Sequence, residues 1–141
     1  MLVMNDELQQ TLIDRYPDLL DLESGPWGVG MSFTVRVGAA GWFVLIDQFC
    51  EQVTREKERF GLACRITRIK EKLGELRILC EGANEQIETL INKVRLESAR
   101  TCQMCGRYGT LRILQGLAAT LCDDDAKKLD RPLRSRVPSD L

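Results

Sequence analysis

Three cysteines and one aspartate restrict this chain more than any other residues. They fall as Cys102-x-x-Cys105 and Cys122-x-x-Asp125. Two thiols separated by two residues on a tight turn point at one place, and a second such pair can join them only if the chain between doubles back. Paired knuckles of this spacing are how small modules hold one tetrahedral zinc ion, which closes a segment too short to hold itself together. The expected ligands are Cys102, Cys105, Cys122 and Asp125, and the expected cofactor is Zn2+. Cys or His is the commoner residue at the fourth position, and the chain has no histidine. Asp125 therefore has two readings: a carboxylate ligand, or one of three aspartates (Asp123, Asp124, Asp125) that cap a helix and complement its dipole.

The residues between the knuckles fit a return path. Residues 109–114 and 117–121 read as two short strands about Gln115-Gly116, and Gly106 lets the backbone turn so that amides face the thiolates. After the aspartates a helix is expected through Ala126 to Leu129. Residues 131–141 contain Pro132, Pro138 and three arginines with little apolar surface, the pattern of a disordered tail.

Ahead of the cysteines the periodicity alternates between helix and strand. Asn5 or Asp6 caps a first short helix bearing Leu8, Leu12, Ile13 and Tyr16, which Pro17 and the acidic stretch 18–23 end or redirect. A turn-rich loop, 24–30, leads to an alternating strand over 31–37. From about Gly41 to Arg59, Trp42, Leu45, Ile46, Phe49, Cys50 and Val53 recur at helical spacing and form one apolar stripe. Strands follow over 63–70 and 75–80 as an antiparallel hairpin, with Ile69 out of phase, the mark of a bulge or of an early strand end. A second helix over 84–101, capped by Asn84, carries Ile87, Leu90, Ile91 and Val94 and delivers the chain into Cys102. At the hairpin tip, Lys70, Lys72 and Arg77 surround Glu71 and Glu75. They read either as a recognition edge for a protein or phosphate, or as a solvated turn with weak local ion pairs.

Charge and chemistry narrow the functional classes. Lys and Arg number 20 against 21 Asp and Glu, so the net charge is −1 and the overall basic excess of a phosphate-backbone binder is missing. The first sixteen residues carry Asp6, Glu7, Asp14 and Arg15 rather than an apolar run, which argues against a secretory signal; no stretch is apolar enough for a membrane span. A cytoplasmic location follows as the expectation, with paired cysteines as ligands and Cys50, Cys64 and Cys80 as small buried hydrophobes. With no histidine, no nucleophile–base pair and no glycine-rich phosphate loop, acid–base, acyl-transfer and nucleotide chemistry lack their parts, so no enzyme is expected.

Four stretches occur in a recognisable order: Gly41-Trp-Phe-Val-Leu-Ile-Asp47, Ile69-Lys-Glu-Lys-Leu-Gly-Glu-Leu-Arg77, Ser98-Ala-Arg-Thr-Cys-Gln-Met-Cys-Gly106 and Thr120-Leu-Cys-Asp123. This order resembles that of a group of small bacterial and phage proteins without an assigned activity. The resemblance covers about Gly41 to Ala126. It implies a helix, a hairpin, a second helix and a zinc-ribbon-like end. Leu73 and Glu75 stand where that group has Phe and Gly, and Asp125 where it has His or Cys. The fold class expected is α+β: two amphipathic helices with a small antiparallel sheet and a C-terminal zinc-ribbon-like module. Its parts are a body over 1–101, the module over 102–130 packed on it, and the tail over 131–141.

The functional expectation is a non-enzymatic inhibitor of bacterial or phage origin whose partner is another protein. That partner is either a toxin, which makes the chain an immunity protein, or a host defence complex, which makes it an anti-CRISPR-type inhibitor. The alternative is a zinc-dependent nucleic-acid-binding regulator using Arg100, Arg107, Arg112, Arg131, Arg134 and Arg136, with Tyr108 stacking on a base. A small zinc enzyme ranks last, because deaminase-type sites need a glutamate beside a His/Cys/Cys set.

Overall fold

The computed structural model describes residues 6–20, 32–34 and 39–136. The loop expected over 24–30, the outer parts of the strand expected over 31–37, the cap at Asn5 and the tail from residue 137 onward lie outside the described residues. In chain order the elements are α1 (Asp6–Arg15), β1 (Ser32–Thr34), a 3-10 turn (Ala39–Trp42), α2 (Phe43–Phe60), β2 (Arg65–Lys72), β3 (Glu75–Glu81), α3 (Glu85–Ser98), β4 (Thr110–Leu114), β5 (Leu117–Leu121) and α4 (Asp123–Arg136). The fold is mixed helix and sheet, as the alternating periodicities imply.

β1, β2 and β3 form one sheet in that order, and β4 pairs with β5 in a second. β2 and β3 are antiparallel, from Arg65 opposite Glu81 to Lys72 opposite Glu75, with a register shift between Ile66 and Arg68. That shift is the bulge that brings Ile69 back in phase. The hairpin is longer than expected because its turn is only two residues, Leu73 and Gly74, both at positive φ. β1 runs parallel to β2, so the sheet is mixed and not wholly antiparallel. The reason lies in the connection: α2 stands between the two strands in the chain, and a helical crossover returns the chain in the same direction.

The main core gathers Leu12 from α1, Leu19 and Leu20 beyond it, Trp42, Ile46, Phe49, Cys50 and Val53 around α2, Cys64, Ile66 and Ile69 near β2, Leu76 and Ile78 of β3, and Ile87 and Val94 of α3. The helical stripes account for most of this burial. α1 is held to α2 by a polar contact as well: Arg15 pairs with Asp47 at 2.8 Å, and the Tyr16 hydroxyl donates to the same carboxylate at 2.8 Å. α3 starts at its expected cap, where Asn84 Oδ1 accepts from the Ile87 amide at 2.9 Å. It stops at Ser98, short of 101, because Thr101 forms a β-bridge with Tyr108. α4 runs to Arg136, so the expected tail is helical over 131–136. Once a first turn has formed at Asp123, each further residue adds a hydrogen bond, and the helix continues through Pro132 although a proline there withholds its N–H and crowds the preceding turn.

A second cluster, Cys102, Ala119, Leu121, Cys122 and Ala126, lies between β5 and the start of α4. Two backbone approaches join it to the body. At the first, Gly41 N donates to Gln103 O at 2.8 Å, and a Cβ on Gly41 would stand 2.1 Å from Cys102 O. Trp42 Nε1 adds a hydrogen bond to Thr101 O at 2.9 Å. At the second, the Thr120 hydroxyl donates to Gly74 O at 2.6 Å, so the β2–β3 turn rests on β5. Gly41→Ala is expected to force these backbones apart and lower stability by about 2–3 kcal/mol in a urea titration. Gly61→Ala, at positive φ but with open space around it, is expected to lose only about 1 kcal/mol. Equal losses at the two positions would contradict the close approach.

Candidate metal centre

The site is assembled from two ends of one hairpin. α3 and the Thr101–Tyr108 bridge set the first knuckle; β5 carries the chain back and Cys122 leaves it directly into α4. Gln103 stitches the two together: its backbone N donates to Thr120 O at 2.9 Å and its side-chain Oε1 accepts from Thr120 N at 2.7 Å. A glutamine in the knuckle is thereby fully buried with its amide oxygen satisfied by a strand N–H. Gly106 turns the chain after Cys105 at φ +84°.

All four expected ligands come together. One donor atom from each of Cys102, Cys105, Cys122 and Asp125 lies within 4.8 Å of every other, close enough to hold a metal ion. Cys105 Sγ and Cys122 Sγ are 3.8 Å apart, and Asp125 Oδ2 lies 3.2 Å from Cys102 Sγ and 3.4 Å from Cys122 Sγ. A tetrahedral ion with metal–sulfur bonds of about 2.3 Å has sulfur–sulfur edges of about 3.8 Å and sulfur–oxygen edges of about 3.5 Å. The donor set fits that figure. Cys102 and Asp125 are buried and Cys105 is exposed, so the cluster opens to solvent at one corner.

Asp125 occupies the third position of α4 and its carboxylate faces the sulfurs, whereas Asp123 and Asp124 point outward to Arg112 and Arg107. The three aspartates therefore divide their roles. Two serve the helix N-terminus and nearby cations; one enters the cluster.

The electrostatics at the thiols are set by burial and amide donors. Burial pushes the Cys102 thiol up to about 11, against backbone amides of Cys122, Cys105 and Met104 that favour its anion. At Cys105 desolvation also opposes ionisation, but hydrogen bonds from the Arg107 side chain and backbone outweigh it and leave the thiol below its usual range. Desolvation disfavours the Asp125 carboxylate as well; contacts with the three cysteines and Lys128 reverse this and hold it below the ordinary value. The amides gathered over the knuckle are the donors that Gly106 was expected to present.

The other residues singled out by the sequence lie elsewhere. Lys70 stands opposite Arg77, and Lys72 opposite Glu75, on the face of the sheet away from Ile69 and Ile78. Arg77 pairs with Glu75 at 3.1 Å, a carboxylate that Arg95 also approaches at 3.4 Å. Among the arginines proposed for nucleic acid, Arg107 and Arg112 are engaged with Asp124 and Asp123. Cys50 and Cys64 are buried in the main core and Cys80 is half-buried, far from the knuckles in sequence and outside the four-donor cluster. Sequence reasoning missed Arg107 as a neighbour of the sulfurs; its place two residues after Cys105 was the available signal. In comparisons with protein-family models, curated proteins and solved structures, nothing matches the chain.

Loss of even an outer-shell partner typically weakens a metal site by about 10–100-fold. Asp125→Ala, which deletes a donor, is expected to lower metal affinity by at least about 100-fold in chelator competition, while Asp123→Ala leaves it nearly unchanged. Equal effects of the two substitutions would return Asp125 to a helix-capping role.

Proposed function

We propose that the protein is a non-enzymatic, protein-binding inhibitor of bacterial or phage origin whose C-terminal lobe is built around one structural zinc ion. The observation that carries the metal part is the closed donor set. Structural zinc sites use four protein ligands, whereas catalytic ones keep a position for water, and here four protein donors converge. Soft thiolates in a tetrahedral arrangement suit zinc better than the harder divalent ions. With an ion in place, the chemistry it would supply is cross-linking: it would offset two of the four ligand charges and hold β5 and the start of α4 against the first knuckle.

A protein partner is favoured by the apolar groups that the lobe leaves in water. Leu73, Leu111 and Ile113 are 65%, 56% and 66% exposed. Leu111 and Ile113 share one face of β4, and Gly74, the neighbour of Leu73, packs against Leu111 and Thr120. Leu111 and Ile113 of the lobe and Leu73 of the β2–β3 turn beside it are large aliphatic side chains facing water, the kind of surface that docks another protein. Leu73 is also a non-glycine residue at positive φ, φ 53°, a conformation that turn formation alone would assign to Asn or Asp. The nucleic-acid alternative loses two of its arginines to carboxylates, Arg107 to Asp124 and Arg112 to Asp123.

The partner classes that fit are a cytosolic toxin or a defence complex, in keeping with the resemblance of the motif order to small bacterial and phage proteins. The location that fits is the cytoplasm. Among the described residues no helix is long and apolar enough to cross a membrane.

Elemental analysis of the purified chain is expected to give one zinc per molecule, lost in Cys122→Ser. Binding to a candidate partner, purified and assayed for its own activity, is expected to abolish that activity and to fall at least tenfold with Ile113→Glu. A chain that retains metal but binds every partner class only through salt-sensitive contacts to nucleic acid would overturn the inhibitor reading.

A further inference from the structure

The sulfur cluster has one exposed corner, and a cation sits on it. Arg107 Nε lies 3.3 Å from Cys105 Sγ, and its Nη2 lies 3.8 Å from Cys122 Sγ and 3.4 Å from Asp124 Oδ2. On the other side of the cluster Lys128 Nζ is 3.5 Å from Asp125 Oδ1, the oxygen that does not face the sulfurs. We propose that Arg107 is a positioning residue of the metal centre, which offsets part of its negative charge and shields Cys105 from electrophiles. The inference rests on the reading that the cluster holds a divalent ion.

Three thiolates and one carboxylate bring four negative charges, and a divalent ion leaves two of them uncompensated. Arg107, which the ligand set shares with Asp124, and Lys128 are the cations that approach the ligands and offset this excess. A guanidinium is suited to the outer end because its rigid planar fork addresses the two sulfurs through two different nitrogens, Nε and Nη2, with less loss of side-chain freedom than a lysine would incur. Hydrogen bonds to a metal-bound thiolate withdraw electron density from sulfur and so lower its nucleophilicity. This matters at Cys105 alone, since Cys102 is fully buried and Cys122 nearly so. Arg107 itself is 63% exposed at its side chain, so its removal is not expected to disturb the core.

The test uses the full-length chain loaded with zinc, and in parallel with cobalt(II), as wild type, Arg107→Ala and Arg107→Lys. Metal stoichiometry is read first. Iodoacetamide labelling of Cys105, followed by mass spectrometry, is expected to run about tenfold faster in Arg107→Ala than in wild type, with Arg107→Lys between them. The sulfur-to-cobalt charge-transfer band is expected to move to lower energy in Arg107→Ala and partly back in Arg107→Lys, a spectral change that a merely structural role would not produce. Loss of metal from Arg107→Ala that Arg107→Lys restores would support the same assignment. Unchanged labelling and an unshifted band, with one metal ion bound in all three proteins, would overturn the role of Arg107 and leave the metal centre standing. A wild-type chain that takes up neither ion would remove the centre itself, and this inference with it. Should Arg107→Ala fold poorly by circular dichroism, Arg107→Gln, which is shorter but polar and uncharged, removes the charge with less loss of side chain and answers the same question.

Discussion

Four acidic donors crowded into one small volume set the terms for the C-terminal half of this protein. Three sulfurs and a carboxylate oxygen lie within 4.8 Å of one another, three of the four residues fully or nearly out of solvent. As four anions they would repel strongly in so low a dielectric. As four protonated groups they would form a poor core, because thiols are weak donors and a buried carboxylic acid needs a good acceptor. A cation would resolve both difficulties at once, and the four donor atoms, all within 4.8 Å of one another, lie close enough to hold one.

That cluster matters beyond its own volume because the backbone around it is also the interface to the body. Gly41 lies directly on the first knuckle, Trp42 reaches across to Thr101, and Thr120 of β5 holds the β2–β3 turn. The second hydrophobic cluster is small and contains two of the cysteines themselves. Apolar burial of that size is worth only a few kcal/mol, about 1.5–3 kcal/mol for each large side chain at most. The packing against Gly41 is therefore one support of the lobe, and a metal ion in the four-donor cluster is the second that we propose. The main core, drawn from three helices and a sheet, is the larger of the two clusters.

How much of this was written in the sequence depends on how local the signal is. The ligand spacing, the β4–β5 hairpin about Gln115-Gly116, the stripes of α2 and α3 and the Asn84 cap are all local patterns, and each is found in the structure. The bulge in β2 was legible because Ile69 broke the alternation. Long-range facts were not. Nothing in the stretch 18–23 marks Leu19 and Leu20 as core, since they sit among acidic residues and are recruited when Leu19 O accepts from the Ile66 amide at 2.9 Å. The parallel pairing of β1 and the contact of Gly41 with Cys102 depend on where separate elements meet, which periodicity does not encode. α4 passed its expected end because composition alone placed the break at Arg131, while the helix was already nucleated at Asp123.

The picture that emerges is an α+β body carrying a small lobe whose four donors can hold a metal ion, with Leu111 and Ile113 facing water on one face of that lobe. Its central claim concerns the coordination shell, and X-ray absorption at the zinc edge of the purified protein addresses it most directly. The account predicts three sulfur scatterers at about 2.3 Å and one oxygen at about 2.0 Å. A shell of six oxygens or nitrogens, or protein that is fully folded with no metal to absorb, would contradict it.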